Sequence, residues 1–165
     1  MYFYKFFGVL NRYHIENAKL MMIGSLERKQ TLDEKLYKDS INNLKIIFTG
    51  NVIEVEKYFA ALDVLLLPSY REGFGNVVIE AATMGTPAIV SNIPGPIDAI
   101  DPGRTALVIP VKNADALQKA MMQIQMLDYV GMGECAAKFV KEHFDSNILC
   151  KKILERKHSL LFEEK

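Results

Sequence analysis

Short apolar runs separated by stretches of helical periodicity recur along most of this chain. Each run is three to five residues long and is closely followed by glycine, proline or another turn former; the runs are 19–23, 45–48, 64–67, 88–90 and 106–109. Runs of this length and composition are typical of strands buried on both faces. Strands that alternate with helices over short connections form a parallel sheet. The sequence therefore predicts a doubly wound, Rossmann-like α/β fold with helices on both faces of one parallel sheet.

The segments between and after these runs predict the helices. They span residues 2–15, 31–43, 54–62, 76–84, 113–127, 132–144 and 146–162, with a short helical turn near 97–100. Asn113 and Ser146 stand where N-caps are expected, because their side chains can accept a hydrogen bond from a free amide of the first turn. The C-terminal part of the chain is thus predicted to be helical throughout.

Size and charge narrow the classes of function. The chain has 165 residues, enough for one domain with a single core, and its 20 basic residues balance its 20 acidic ones. No overall field favours nucleic acid, so any anion site must be local. Cys135 and Cys150 are far apart and lack metal-ligand spacing, which favours a reduced, cytoplasmic setting.

The N-terminal stretch is unusually aromatic, reading Met1-Tyr-Phe-Tyr-Lys-Phe-Phe-Gly-Val-Leu10. It has no basic region ahead of the apolar part and no small-residue cleavage pattern, so it does not resemble a signal peptide. Lys5 interrupts the apolar residues and Asn11 ends them, which leaves too short a run to span a bilayer. We expect a helix that packs on the sheet.

Four loops follow the predicted strands and should meet at one edge of the sheet. In doubly wound folds ligands bind outside the carboxyl ends of the strands. The loops at that edge are Gly24-Ser25, Gly50-Asn51, Ser69 to Gly75, and Ser91 to Pro96.

The segment from Glu72 to Glu80 is the strongest functional signal. Gly73 and Gly75 allow close backbone approach to a ligand, and the helix that begins near Asn76 offers free amides to a phosphate. Glu80 lies in an apolar run, where an unsatisfied carboxylate is costly to desolvate. Glu80 could accept hydrogen bonds from a vicinal diol such as ribose, and Glu72 from a second sugar. Alternatively, the glycines only form a turn and both acids are solvated.

The same residues resemble a known motif. Glu72 and Glu80 are separated by seven residues within Pro68-Ser-Tyr-Arg-Glu-Gly-Phe-Gly-Asn-Val-Val-Ile-Glu-Ala81, which is similar to the E-x7-E motif of retaining GT-B glycosyltransferases of the group 1 family. Further agreement lies in 17–24, 47–50, 60–69 and 85–90, so the resemblance covers about residues 17–145. It identifies residues 1–165 as a single Rossmann-like domain, the C-terminal, donor-binding half of a GT-B fold.

The resemblance implies a site for a nucleotide-sugar, linked to UDP or GDP, as the substrate. Glu72 would contact the transferred sugar as the catalytic residue, and Glu80 would bind the nucleotide ribose. The backbone of Gly73, Phe74, Gly75 and Asn76 would bind the diphosphate and the sugar hydroxyls. The base would lie along the loop of Gly50, Asn51 and Val52, and the loop of Gly24 and Ser25 would border the cleft.

Neither a metal nor a cofactor is expected. The sequence contains no Asp-x-Asp, the pattern that holds a metal in the other main glycosyltransferase fold. His14, His143 and His158 lack ligand spacing and are expected on helix surfaces.

The chain also departs from the family. The family's domain normally opens with a strand, a Gly-Arg loop and a Lys that bind the diphosphate, and an acceptor domain precedes it; this sequence starts after all of these. Gly95-Pro96 with Asp98 stands where two glycines and a Glu are usual, and Ala106 stands where glycine is frequent.

Several readings therefore stay open. In the first reading, the chain is the donor half of a polysaccharide-assembling enzyme, either as a fragment or as a half that pairs with a separate acceptor-domain chain. In this reading the full enzyme can associate peripherally with the inner face of the membrane. Alternatively, it is a non-catalytic nucleotide-sugar binding module. A GT-B sugar-nucleotide epimerase is a third reading, which the E-x7-E context disfavours. No nucleic-acid partner is expected.

Overall fold

The structure, a computed structural model, describes residues 18–25 and 34–162. Its elements, in chain order, are β1 (Leu20–Ile23), α1 (Glu34–Ile41), β2 (Ile46–Gly50), α2 (Val55–Phe59), β3 (Leu65–Leu67), α3 (Asn76–Thr83), β4 (Ala88–Ser91), β5 (Ala106–Ile109), α4 (Ala114–Met126), α5 (Tyr129–Phe144) and α6 (Ser146–Phe162). All five predicted strands are confirmed to within two residues at each end. The predicted helix at 2–15 lies outside the described residues.

Every strand pair among the described residues is parallel, which confirms the α/β class. β1 pairs with β2, while β4 lies between β3 and β5. One continuous sheet was expected. The described strands instead form two hydrogen-bonded sheets, and no ladder joins β1 to β3 within the described part of the chain.

Helices cover both faces of β4, and alternate residues of this strand point into two core clusters. Ile89 faces the first core cluster, which α4 covers; its members are Ile89, Ile109, Leu117, Ala120, Met121, Ile124 and Met132. Ala88 and Val90 face the second core cluster, which α2 and α3 cover; its members are Phe59, Leu65, Val78, Ala81, Ala88, Val90, Ala99, Ile100 and Ala106. Complete burial of an Ile or Val side chain contributes about 1.5–3 kcal/mol.

Helix caps agree only in part with the sequence predictions. Asn113 caps α4 as predicted, since its Oδ1 accepts from the Ala116 amide at 2.9 Å. Ser146 was predicted to cap α6, but Asp145 fills this role, because its Oδ1 accepts from the amides of Asn147 at 2.8 Å and Ile148 at 3.3 Å. The prediction was therefore wrong by one residue.

α5 begins at Tyr129, three residues before the predicted start at 132. Asp128 caps it, because its Oδ1 accepts from the Gly131 amide at 2.9 Å. Gly131 and Gly133 weaken the helical pattern locally, which is why the sequence suggested a later start. Gly133 is buried against α3's C-terminal turn: a Cβ there would overlap the carbonyl oxygen of Gly85.

α6 continues from α5 and leaves apolar residues exposed. Ile153, Leu154, Leu160 and Leu161 are each more than half exposed. Within the described ranges, every helix is too short or too polar to cross a membrane.

Candidate functional site

Two of the predicted loops meet directly at the ends of β1 and β2. The Gly24 amide donates to the Gly50 carbonyl at 3.0 Å. Both glycines have positive φ, 111° and 66°, a conformation that other residues rarely adopt. Their backbones therefore form one turn-like rim after these two strands.

The other two loops are interlocked at the ends of β3 and β4. A Cβ on Gly95 would overlap the Gly73 carbonyl oxygen, and a Cβ on Gly75 would lie 3.0 Å from Pro96 Cα. The Gly95 amide donates to Asp98 Oδ2 at 3.1 Å, a bond that closes a turn within the second loop. Gly75 and Gly95 thus permit the close approach of the two loop backbones, whereas a Cβ on Gly73 would meet nothing within 4 Å. No local signal in the sequence identified Gly95 as the residue that contacts Gly73.

The first turn of α3 lacks a capping side chain. Gly75 occupies the N-cap position with φ 84°, in the left-handed region, and no side chain accepts from the first amides. Uncapped amides and the positive end of the helix dipole attract anions. The first turn therefore has the geometry expected of a phosphate-binding helix start.

Glu80 lies about one helical turn after Asn76, and both side chains are exposed. The exposure of Glu80 agrees with the alternative in which its carboxylate is solvated. Val78, Ala81 and Ala82 turn to the core, whereas Glu80 lies on the opposite face of the helix. Its carboxylate has no hydrogen-bond or ion-pair partner among the residues that the structure describes, so it is accessible to a ligand that reaches the start of α3.

Glu72 is also exposed, but its loop holds it in place. The Ser69 hydroxyl donates to Glu72 Oε1 at 2.8 Å. Phe74 is 47% exposed and makes an edge-on contact with Phe144 of α5, with ring centroids 5.7 Å apart. α5 thus supports the glycine loop from behind, while the Glu72 carboxylate remains at the surface.

A separate open cavity of about 590 Å³ lies beside the predicted loop at Gly50-Asn51. Asn51 and Val52 line it, together with Met21 of β1 and Tyr58 of α2. α2 in turn packs against α3. The structure therefore brings the predicted residues into two neighbouring groups, one at the glycine loop and one at this cavity.

Lys112 is a cation near the glycine loop that the sequence analysis did not single out. Its Nζ lies 5.6 Å from the ring centroid of Tyr70, within the range of a cation–π contact. Its φ is 59°, which is uncommon for a residue other than glycine. The position of Lys112 just after β5, in a loop that also lies at the carboxyl edge, was the signal that could have identified it from the sequence.

Ser91 was expected only as the start of a loop, yet its hydroxyl is notable. The residue is fully buried at the end of β4, and its Oγ has no hydrogen-bond partner in the described part of the chain. Buried hydroxyls ordinarily have a partner. This hydroxyl is therefore a candidate donor to an ordered water at the same edge.

The described histidines and acidic residues do not form a group of metal ligands at the carboxyl edge. His143 and His158 are exposed on α5 and α6, as expected, and His14 lies outside the described residues. His143 Nδ1 lies 2.9 Å from the Phe139 carbonyl oxygen. In the ranges 18–25 and 34–162, no three His, Cys, Asp or Glu side chains are grouped to hold a metal ion.

Away from the carboxyl edge, contacts with Cys135 and then with Asp101 raise the pKa of Arg104. An arginine side chain is charged throughout the physiological range in any case. This shift therefore has no consequence for chemistry at the candidate site.

The family model and the relative that match this chain agree with each other. Residues 2–126 match the family model described as "Glycosyl transferases group 1". The chain is 28% identical over 151 residues to the capsular polysaccharide biosynthesis glycosyltransferase CapM of Staphylococcus aureus, a match that covers 89% of this chain and 39% of CapM. The chain therefore spans about two-fifths of that relative's length.

Solved structures show the same fold. Anabaena HepE, solved in complex with UDP, superimposes with a TM-score of 0.82 at 17% identity over 94% of this chain and 44% of HepE. The C-terminal domain of the group 1 family glycosyl transferase LpcC from Francisella tularensis gives a TM-score of 0.73 at 16% identity, over 88% of this chain and 78% of that domain.

Proposed function

The chain belongs to the group 1 family of glycosyl transferases, and on this basis we propose that it is the domain that binds the nucleotide-sugar donor of a retaining glycosyltransferase. The observation that carries the proposal is the start of α3. An uncapped helix N-terminus follows a left-handed Gly75, and the free carboxylate of Glu80 lies about one turn further on. The donor would be linked to UDP or GDP.

Each part of the donor has a matching chemical group at this edge. The amides from Phe74 to Asn76 would bind the diphosphate, and Glu80 would accept hydrogen bonds from the ribose hydroxyls. Glu72, oriented by Ser69, would contact the transferred sugar. The cavity lined by Asn51 and Val52 would take the base, and the rim at Gly24-Ser25 would border it. HepE structures that contain UDP and UDP-glucose support this class of ligand.

The contribution of this domain to the reaction would be electrostatic. As the bond between the sugar and the diphosphate breaks, negative charge grows on the leaving nucleoside diphosphate. The amides and positive dipole end of α3 stabilise that charge without rearrangement, which lowers the barrier. The acceptor would be a glycan or glycolipid in polysaccharide biosynthesis, as the name of CapM suggests.

Replacing Glu80 with alanine tests the ribose contact. We expect the affinity for UDP and GDP to fall about tenfold, because a hydrogen bond to a charged group is lost. Isothermal titration calorimetry measures the change. Glu134→Ala is the matched control, because Glu134 is an exposed helical glutamate of α5 outside the carboxyl edge, and it should leave the affinity unchanged. Equal affinities for Glu80→Ala and the unaltered chain would refute the ribose assignment.

A non-catalytic module that binds a nucleotide-sugar is the second candidate. We expect the 165-residue chain alone to bind donor without transferring sugar, since the acceptor contacts would belong to other polypeptide. A transfer assay with labelled UDP-glucose and lipid or glycan acceptors checks this. Donor-dependent labelling of any acceptor without a partner chain would contradict the expectation.

A further inference from the structure

Phe74 is the only residue among 73–75 that has a side chain. Its neighbours Gly73 and Gly75 have none, and Gly75 has a φ of 84°. Glycines leave the backbone free to take many conformations, so they do not by themselves fix the amides beside them. The Phe74 ring is therefore the side chain through which the rest of the fold can hold this stretch.

The last residue of α5 holds the Phe74 ring. Phe144 makes an edge-on contact with it, with the ring centroids 5.7 Å apart and the ring planes at 72°. Aromatic pairs prefer this geometry, because the positive edge of one ring meets the negative face of the other. Phe74 is 47% exposed, so this specific contact, rather than general burial, sets the position of its ring.

Phe144 is itself anchored between α3 and α5. Its ring meets the Phe139 ring edge-on, with centroids 6.0 Å apart and the planes at 65°. Both rings pack against a third core cluster, whose members are Ala82 of α3 and Ala136 and Val140 of α5. The packing of two helices therefore sets the position of the Phe144 ring, and the ring contact passes that position on to Phe74.

We propose that Phe144 is a positioning residue for the diphosphate of the donor, an inference that rests on the proposed function. Through Phe74 it holds the backbone that leads into α3, so that the amides from Phe74 to Asn76 are in place before the ligand arrives. Amides that are already in place bind an anion more tightly, because no ordering of the loop has to accompany binding. Phe144 acts through Phe74 rather than on the ligand.

The effect of Phe144 is confined to the part of the ligand that the loop amides bind. The proposed contacts of the base and the ribose, the cavity beside Asn51 and the Glu80 carboxylate, lie outside the Phe74–Phe144 pair. Loss of the Phe144 ring should therefore weaken UDP and leave uridine, which has no phosphate, nearly unaffected. A substitution that only loosened the fold would weaken both ligands alike.

Phe144→Leu tests this split, because it removes the ring and keeps an apolar side chain. We expect the affinity of the 165-residue chain for UDP to fall about fivefold and its affinity for uridine to change less than about twofold, as titrations followed by NMR measure. Phe144→Tyr keeps the ring and should restore the UDP affinity to within about twofold. An equal fall for UDP and uridine, or no fall for UDP, would overturn the proposal.

Val140→Ala is the matched control, because it opens a cavity in the third core cluster on the same helix and leaves both rings in place. It should lower the stability of the chain while the UDP affinity stays within about twofold. A fall in UDP affinity as large as that of Phe144→Leu would show a general loss of packing, and the positioning role would be wrong.

Backbone order in the ligand-free chain separates this inference from the proposed function. The NMR order parameters of the Phe74 and Gly75 amides should drop from about 0.85 to below about 0.6 in Phe144→Leu and stay high in Val140→Ala. Unchanged order parameters in Phe144→Leu would overturn the positioning role even if the chain binds UDP. If the unaltered chain binds no UDP, the donor site is refuted, whereas the order parameters still decide whether Phe144 holds the loop.

Discussion

Gly95→Ala is expected to lower the affinity for UDP by at least about tenfold and to destabilise the chain by about 1–3 kcal/mol. The added Cβ overlaps the carbonyl oxygen of Gly73, so one of the two interlocked loops must move. The overlap is with backbone, which cannot rotate aside as a side chain can. Moving Gly73 displaces the amides that begin α3, which are the proposed diphosphate contacts. Calorimetric titration with UDP and urea denaturation measure the two effects.

Gly103→Ala is the control variant, because it introduces the same kind of backbone strain as Gly95→Ala without disturbing the contact between the two loops. Gly103 has a φ of 81°, similar to the 93° of Gly95, but a Cβ there meets nothing within 4 Å. This variant should lose stability through the strained backbone conformation and retain its affinity for UDP. If Gly95→Ala and Gly103→Ala bind UDP equally well, the interlocked loops do not form the donor site.

Gly133→Ala is expected to destabilise the fold by about 2 kcal/mol, which is a large part of the stability of a small domain. Alanine favours a helix over glycine by about 1 kcal/mol. That gain is outweighed because the new Cβ overlaps the Gly85 carbonyl oxygen and separates α5 from the end of α3. Urea denaturation monitored by circular dichroism measures the loss.

Gly131→Ala is the matched control in the same helix. The nearest atoms to a Cβ at Gly131 belong to the Asp128 carboxylate, a side chain that can rotate. We expect a change below about 1 kcal/mol, since the gain in helix propensity offsets a weakened cap. A Gly133→Ala variant as stable as Gly131→Ala would show that α3 and α5 can separate without cost.

The local pattern predicted most of the secondary structure. Apolar runs ended by turn formers located the five strands, and Asn113 located the start of α4, because these signals act within a few residues of sequence. The same reasoning failed where two local signals competed. Asp145 and Ser146 are both acceptable caps, and the structure uses Asp145.

The candidate site was predicted as a set of loops but not as a set of contacts. Glu72 and Glu80 were singled out by their spacing and by the glycines between them. The sequence left the exposure of Glu80 open, because an apolar run in a helix can have an outer face, and the structure places Glu80 on that face with Asn76. Lys112 was missed because its neighbour Tyr70 belongs to a different loop.

The sequence by itself determined the order of strands and helices, the parallel class of the fold and the edge at which the glycine loops lie, because each depends on periodicity and turn chemistry over short spans. Only the tertiary structure decided that Gly95 meets Gly73, that Gly133 meets Gly85, and that the described strands form two hydrogen-bonded sheets. Contacts between residues distant in sequence depend on how whole elements pack, and no local pattern specifies that packing.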